Sequence, residues 1–260
     1  MRKIKSTLRD LDELFRHSIT VRDIAEPLAS FDESCAAETV REFMEKRNFD
    51  VVGVRREGRV VAVVTKGKSG SGSIGDYCQE LLDSDELSES APLFDLFELL
   101  KNRGWLVVNL LGHPNGIVTR ADLQKIPVRM WLFSLVSLIE LHAARLIQET
   151  FEDEAWKKLL PDDRIEKAIG VFNDRKKYNL EIDLLECLEL SDKLNIVMRT
   201  ETLFDTVCHM SKTKAKAFCG RLIRLRHDLA HGHDIAGKNW QKLVETACTA
   251  KTVLAQMEQA

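Results

Sequence analysis

The sequence predicts an α+β chain in which two copies of a β-α-β-β-α pattern are followed by an all-α helical bundle. Three observations carry this. Before Pro127 the chain runs in short β-rich stretches broken by glycine turns. After Pro127 come long helical periodicities with almost no strand signal. Within the first half one pattern occurs twice, which marks a repeat rather than a single irregular sheet. The boundary gives two domains, residues 1–127 and 128–260.

In the first copy an amphipathic stretch from Cys35 to Arg47 leads into a strand at Asp50 to Val54, a turn at Glu57-Gly58 and a strand at Val60 to Val64. In the second, a helix from Pro92 to Asn102 leads into Trp105 to Leu111, a turn at Pro114-Asn115, and the string Gly116-Ile117-Val118-Thr119-Arg120-Ala121-Asp122-Leu123. Thr65 closes the first copy as Thr119 closes the second. Three residues on, however, Lys68 stands where the second copy has Asp122, and a glycine-serine run from Gly67 to Ser73 reads as a loop.

The helical half opens with Val128 to Phe151, apolar on nearly all sides at first and suited to the centre of a bundle. Its most apolar part, Trp131 to Leu141, is broken by Glu140 and followed by His142 and Arg145. It is too short and too polar to cross a bilayer, so no membrane is expected. Glu140 is either a paired structural residue or a carboxylate that orients Arg226. Further helices are predicted over Asp162 to Tyr178, Ile182 to Leu194, Thr202 to Met210, Lys212 to Ala230 and Lys238 to Glu258.

Composition sets the setting. A chain with 44% hydrophobic and 30% charged residues is ordinary for a globular protein, and its six cysteines lack paired spacing, as expected of reduced thiols. Met1 to Phe15 is too charged for the apolar stretch of an export signal, so a cytoplasmic protein is expected. The net charge of -3 offers no global attraction to nucleic acid. Any RNA contact must use a local patch, and Lys212, Lys214, Lys216, Arg221, Arg224 and Arg226 supply one, with Lys216, Arg221 and Arg224 as the candidate RNA-binding residues. The alternative is a solvated helical face.

The segment Arg226-His227-Asp228-Leu229-Ala230-His231-Gly232-His233 carries the chemistry. Ala217, Phe218, Leu222, Leu225 and Leu229 give the apolar face of a helix that Gly232 can end as a left-handed cap, with His231 in the last turn. A histidine there can exchange protons with a ribose hydroxyl or a leaving oxygen. Arg226, charged at any working pH, is suited to holding a phosphate. Five helical steps set the two residues about 140° apart around the axis. Either the last turn unwinds, or a second copy packs across a two-fold axis so that two motifs line one cleft; the homodimer is expected. A plain surface helix is the other reading, with His227 and His231 at i, i+4 and Arg224 able to pair with Asp228. His227, His231 and His233 could offer nitrogens to a metal, near Cys208, His209 and Cys219 in sequence, but no paired-cysteine spacing supports a zinc cage and no metal is expected.

Two resemblances sharpen these readings. Arg226-His227-x-x-x-His231 at the end of a late helix, in an all-helical half covering about residues 128 to 258, resembles the signature of the HEPN superfamily, with His227 in place of the Asn common at the polar position. It implies a metal-independent endoribonuclease that dimerises through its motif helices, with catalytic Arg226, His227 and His231 and no cofactor required for catalysis. The repeat over about residues 17 to 127, with its closing string, resembles a pair of CBS domains. That resemblance implies an adenine nucleotide ligand, ribose hydroxyls held by Thr119 and Asp122, a phosphate within reach of Arg120, and main chain around Glu86 to Ser88 facing the base. Thr119 and Asp122 equally suit an N-cap. Together the resemblances imply an RNA-cutting dimer governed by a nucleotide sensor, in keeping with a toxin or defence effector. The alternative is a non-catalytic nucleotide-sensing dimerisation or RNA-binding module. For phosphoryl transfer, no acidic metal triad or phosphate loop stands out.

Overall fold

The computed structural model describes residues 6–68, 70–100, 103–178, 182–235, 237 and 240–260. The chain divides into two compact units: Leu14–Val128, and Arg129–Ala260 together with the residues up to Glu13. The helix α1 (Leu8–His17) therefore begins on the helical unit, although the sequence places its residues with the strands. Leu8 and Leu11 are buried there, and Asp12 pairs with Lys251 at 3.0 Å.

The strand-rich unit contains β1 (Glu26–Pro27), β2 (Ser30–Asp32), α2 (Ala37–Arg47), β3 (Val51–Arg56), β4 (Arg59–Thr65), β5 (Gln79–Glu80), β6 (Glu86–Ser88), α3 (Leu93–Leu100), β7 (Trp105–Leu110) and β8 (His113–Thr119). The expected helix end at Asn102 lies outside the described residues. Two four-stranded sheets form, in the orders β2-β3-β4-β5 and β1-β8-β7-β6. Each contains one parallel pair, β2 with β3 or β6 with β7, beside an antiparallel hairpin. The short strand ahead of each repeat completes the other repeat's sheet: β1 pairs with β8, and β5 with β4.

The repeat extends to its irregularities. Each hairpin shifts register at one point, between Val54 and Arg55 and between Val108 and Asn109. The unpaired residues left opposite, Val61 and Asn115, turn their carbonyls to the exchanged segments. Leu81 N–H donates to Val61 O at 3.0 Å, and Leu28 N–H donates to Asn115 O at 2.8 Å. A bulge thus pins each exchanged strand. Between the sheets Leu28, Val51, Val60, Val63 and Val107 form a core, while Val52, Val54, Ala62 and Val64 face Val40 and Met44 of α2.

The first hairpin turns where expected, at Glu57 and Gly58 with φ of 49° and 77°. The second does not. Its turn is Leu111-Gly112, with φ of 53° and 80°, and Pro114 and Asn115 lie within β8, where Pro114 faces Asn109. Proline, which cannot donate to a ladder, and the bulged Asn115 are tolerated at the bulge, so these turn-forming residues mark an irregularity rather than a reversal.

The helical unit is built on α4 (Ile126–Thr150), with α5 (Asp162–Lys176), α6 (Leu190–Arg199), α7 (Glu201–Val207), α8 (Lys212–Ala230) and α9 (Trp240–Gln259). Lys238, the expected start of the last helix, lies outside the described residues. The helix predicted from Ile182 to Leu194 is instead a 3-10 turn, Leu184–Cys187, followed by α6. The break has a local cause. Glu189 N–H donates to Asp192 Oδ2 at 3.3 Å, Arg164 forks onto both Asp192 oxygens, and Lys167 with Arg164 pulls the Glu189 carboxyl down to about 2. Negative charge gathered at that point starts a new helix.

Trp131, Leu132 and Ile139 of α4 are fully buried. At 25 residues, with a mean hydropathy of 1.5 in its most apolar window, α4 is by length and composition long enough to cross a membrane, unlike the shorter stretch read from the sequence; 56% of that window is buried within the protein. Glu140 Oε1 accepts from Lys193 Nζ at 2.8 Å, so its carboxylate is committed to α6 rather than to Arg226. Arg145 reaches the last turn of α9, where its Nη2 donates to Met257 O at 2.5 Å.

Candidate functional site

The motif helix forms over the predicted residues, and its end is tightly determined. α8 stays wound through Ala230, with His231 as the capping residue at φ −101°, and Gly232 follows in the left-handed region at φ +69°. The reversal lets His233 N–H donate to Asp228 O at 2.9 Å, the six-to-one bond of a Schellman cap. A residue that the sequence did not single out completes the structure: Arg129 of α4 donates from Nη2 to Asp228 O and Leu229 O at 3.0 and 3.1 Å, and from Nη1 to His233 O at 2.8 Å. An arginine on these carbonyls satisfies the groups a helix end leaves open and opposes its negative dipole. Sequence could have flagged it only as a charge at the start of an otherwise apolar helix.

The buried face of α8 is Ala215, Phe218, Leu222 and Leu225; Ala217, expected there, is exposed, and Leu229 is half-buried. Opposite that face run Lys216, Gly220, Arg224, His227 and His231, with Arg226 exposed on one flank. The His227 and His231 ring centroids are 4.4 Å apart, and His233 lies 5.4 Å from His227. Of the candidate RNA contacts, Lys216 and Arg224 are open to solvent, and Arg224 sits 3.7 Å from Asp228. Arg221 is held against α9 by Thr246 Oγ1 at 3.1 Å and Glu245 at 3.6 Å, so it contributes charge at the flank rather than a free side chain. His209 pairs with Gln256 at 2.9 Å, and burial pushes the Cys208 and Cys219 thiols up to about 11 and 12, which keeps them protonated.

In the strand-rich unit, Thr119 and Asp122 bind each other. Asp122 Oδ2 accepts from Thr119 N–H at 2.7 Å and from its hydroxyl at 3.0 Å, and Thr119 Oγ1 accepts from Ala121 N–H, capping the 3-10 turn Arg120–Gln124. Asp122 Oδ1 faces Lys125 Nζ at 2.8 Å. Burial works against the Lys125 charge, but Asp122 and Glu26 together hold it above the ordinary lysine range. Both oxygens of this buried carboxylate are thus occupied within the chain. Arg120 lies 3.7 Å from Asp50. Glu86 to Ser88 form β6, the end strand of its sheet.

The first repeat has the same device, displaced. Ser73 N–H and Oγ donate to Asp76 Oδ2 at 3.1 and 3.2 Å, capping the 3-10 turn Ile74–Tyr77. Lys68 is therefore not the counterpart of Asp122; Asp76 is, after a loop of which Ser69 lies outside the described residues. The Ser-x-x-Asp spacing was legible in the sequence. Because Asp122 is buried and used on both oxygens, Asp122→Ala is expected to cost about 1–3 kcal/mol in urea unfolding. A loss below about 0.5 kcal/mol would show that the box holds nothing.

No family model matches the chain, and no curated protein matches it. Among solved structures it is similar to CBS domains over about two fifths of its length. The CBS domain of a CBS domain-containing membrane protein from Sphaerobacter thermophilus is 16% identical with a TM-score of 0.37, the match covering 44% of this chain and 91% of that one. CBSX2 in complex with AMP is 21% identical with a TM-score of 0.35, covering 40% and 92%. The CBS domains of a transcriptional regulator from Streptococcus pneumoniae are 19% identical with a TM-score of 0.36, covering 41% and 97%.

Proposed function

We propose that the chain is a nucleotide-regulated, metal-independent endoribonuclease of HEPN type that works as a homodimer, its strand-rich unit acting as a CBS pair that binds an adenine nucleotide. The observation that carries this reading is the end of α8, where Arg226, His227 and His231 stand exposed on a helix terminus fixed by Gly232 and Arg129. The ribose 2'-hydroxyl attacks the adjacent phosphorus and gives up its proton, and the 5'-oxygen leaves carrying one, so the products are a cyclic phosphate and a 5'-hydroxyl end. His231 serves these proton transfers, and Arg226 holds the phosphate as charge builds on it.

Helix geometry supports the dimer. The last turn is wound, so one helix leaves the two side chains about 140° apart, and a second copy brings the missing partner. Gly220 supports this arrangement. It lies mid-helix on the exposed strip with open space around it, at a cost of about 1 kcal/mol relative to alanine, and it gives a second backbone room to approach. Gly220→Leu is expected to leave the monomer folded and shift the dimer toward monomer in analytical ultracentrifugation; an unchanged dimer would move the interface off α8.

For the nucleotide, the two boxes Ser73–Asp76 and Thr119–Asp122 close matching ends of the two repeats, a ribose there has to displace bonds the boxes already make, and a similar CBS protein was solved in complex with AMP. The ligand acts as a switch only by favouring one arrangement of the dimer. A role as a toxin or defence effector suits RNA cutting under such control. The test is RNA cleavage by the purified chain with and without EDTA and AMP, comparing wild type with Arg226→Ala and His231→Ala. Cutting that survives both substitutions, or that EDTA abolishes, sinks the reading.

A further inference from the structure

At the cap of α8 His227 of the motif meets Asp228 and His233, a carboxylate and an imidazole that the cleavage chemistry does not use. The ligand atoms of His227, Asp228 and His233 all lie within 4.8 Å of one another. His233 Nδ1 and Asp228 Oδ1 are 3.3 Å apart, close to the roughly 3.4 Å edge of a tetrahedron with bonds of about 2.1 Å. The backbone beneath them is already set by the left-handed Gly232, the His233-to-Asp228 main-chain bond and the Arg129 guanidinium on the carbonyls of Asp228 and His233. Little main-chain ordering therefore remains when a cation arrives, and side-chain rotation has separations of at most 4.8 Å to close.

We infer that His227, Asp228 and His233 bind one divalent transition-metal cation of the zinc class. Imidazole nitrogens select such metals over calcium or magnesium, which take oxygen ligands. Three protein ligands leave a fourth position for water or for the neighbouring His231, whose ring centroid is 4.4 Å from that of His227. The Arg224 guanidinium, 3.7 Å from Asp228 Oδ2, is largely exposed and swings away without cost to the fold. Resting on the ribonuclease reading above, the bound cation takes His227 out of the motif and crowds His231, so the metal inhibits cleavage that needs no metal.

Co2+ titrated into the tag-free full chain tests the site, read by calorimetry and by visible absorption. The expected result is one equivalent per chain with no thiolate-to-metal band, weakened about 10- to 100-fold or more by His233→Ala and by Asp228→Asn. The cap's main-chain bonds do not involve either side chain, and circular dichroism checks that both variants keep their helix content. Absence of stoichiometric binding, a thiolate band, or affinity unchanged in both variants overturns the inference. A second arm separates the two proposals. If the chain cuts RNA, the Co2+ concentration that halves cleavage rises in His233→Ala in step with the lost affinity. If it binds Co2+ as described but cuts nothing, the ribonuclease reading falls and the metal site stands.

Discussion

On the proposed ribonuclease reading, RNA cleavage by the full chain is expected to fall about 10²- to 10⁴-fold in His231→Ala and about 10²- to 10³-fold in Arg226→Ala, with the fold and RNA affinity little changed. Both side chains are exposed at a cap made by main chain and the Arg129 guanidinium, so truncating them removes chemistry and not structure. The composite geometry adds a sharper result. In the proposed dimer, when Arg226→Ala and His231→Ala chains are mixed in equal amounts and allowed to exchange, half of the dimers are mixed, and each mixed dimer carries one intact pair, Arg226 from one protomer and His231 from its partner. Cleavage should return to about a quarter of the wild-type rate from two nearly dead proteins. A mixture as inactive as its components would place both residues in a single chain's site.

The second large effect is on stability. Lys193 is only 3% exposed, and its ammonium is held by Glu140 Oε1 at 2.8 Å. Glu140→Ala leaves that charge buried without its partner, which costs about 3–5 kcal/mol and lowers the melting temperature by on the order of 10 °C. Adding Lys193→Met should recover most of the loss, because an apolar side chain of similar length needs no counter-charge. Urea unfolding of the wild type, the single variant and the double variant checks both statements. A single-variant loss under about 1 kcal/mol would mean that water reaches Lys193.

These cases show what periodicity conveys and what it omits. The helix Lys212–Ala230 was readable to the residue because an apolar face and a glycine stop agree with one another, and the structure adds a serine cap at Ser211. Repeated strands were readable because branched apolar runs recur around a turn. The second hairpin was misread because Pro114 and Asn115 belong to the residue types of turns but occupy a bulge, while Leu111, an unlikely left-handed residue, makes the turn. The displaced Ser73–Asp76 box was hidden by alignment to Lys68 across an inserted loop. Of the candidate site, Arg226, His227 and His231 were visible as chemistry on a helix end. Arg129, about a hundred residues away in sequence, and the meeting of His233 with Asp228 depend on tertiary approach and on a chain reversal after Gly232, which no local pattern encodes.

The exchange of edge strands between the two sheets has a consequence for how the chain is made. β5 follows β4 after 13 residues, whereas Glu26 of β1 waits for Ile117 of β8, about 90 residues further along. At translation speeds of about 5–20 residues per second the wait is on the order of 5–20 s. Once β5 is made the first sheet has its four strands while β1 still lacks its partner, and β1, two residues long and ending in Pro27 with no N–H, offers another nascent copy little edge to capture. The last hairpin both finishes the second sheet and pairs this waiting strand, so a chain that stops between β5 and β8 should hold the first sheet whole and leave β1 without its partner.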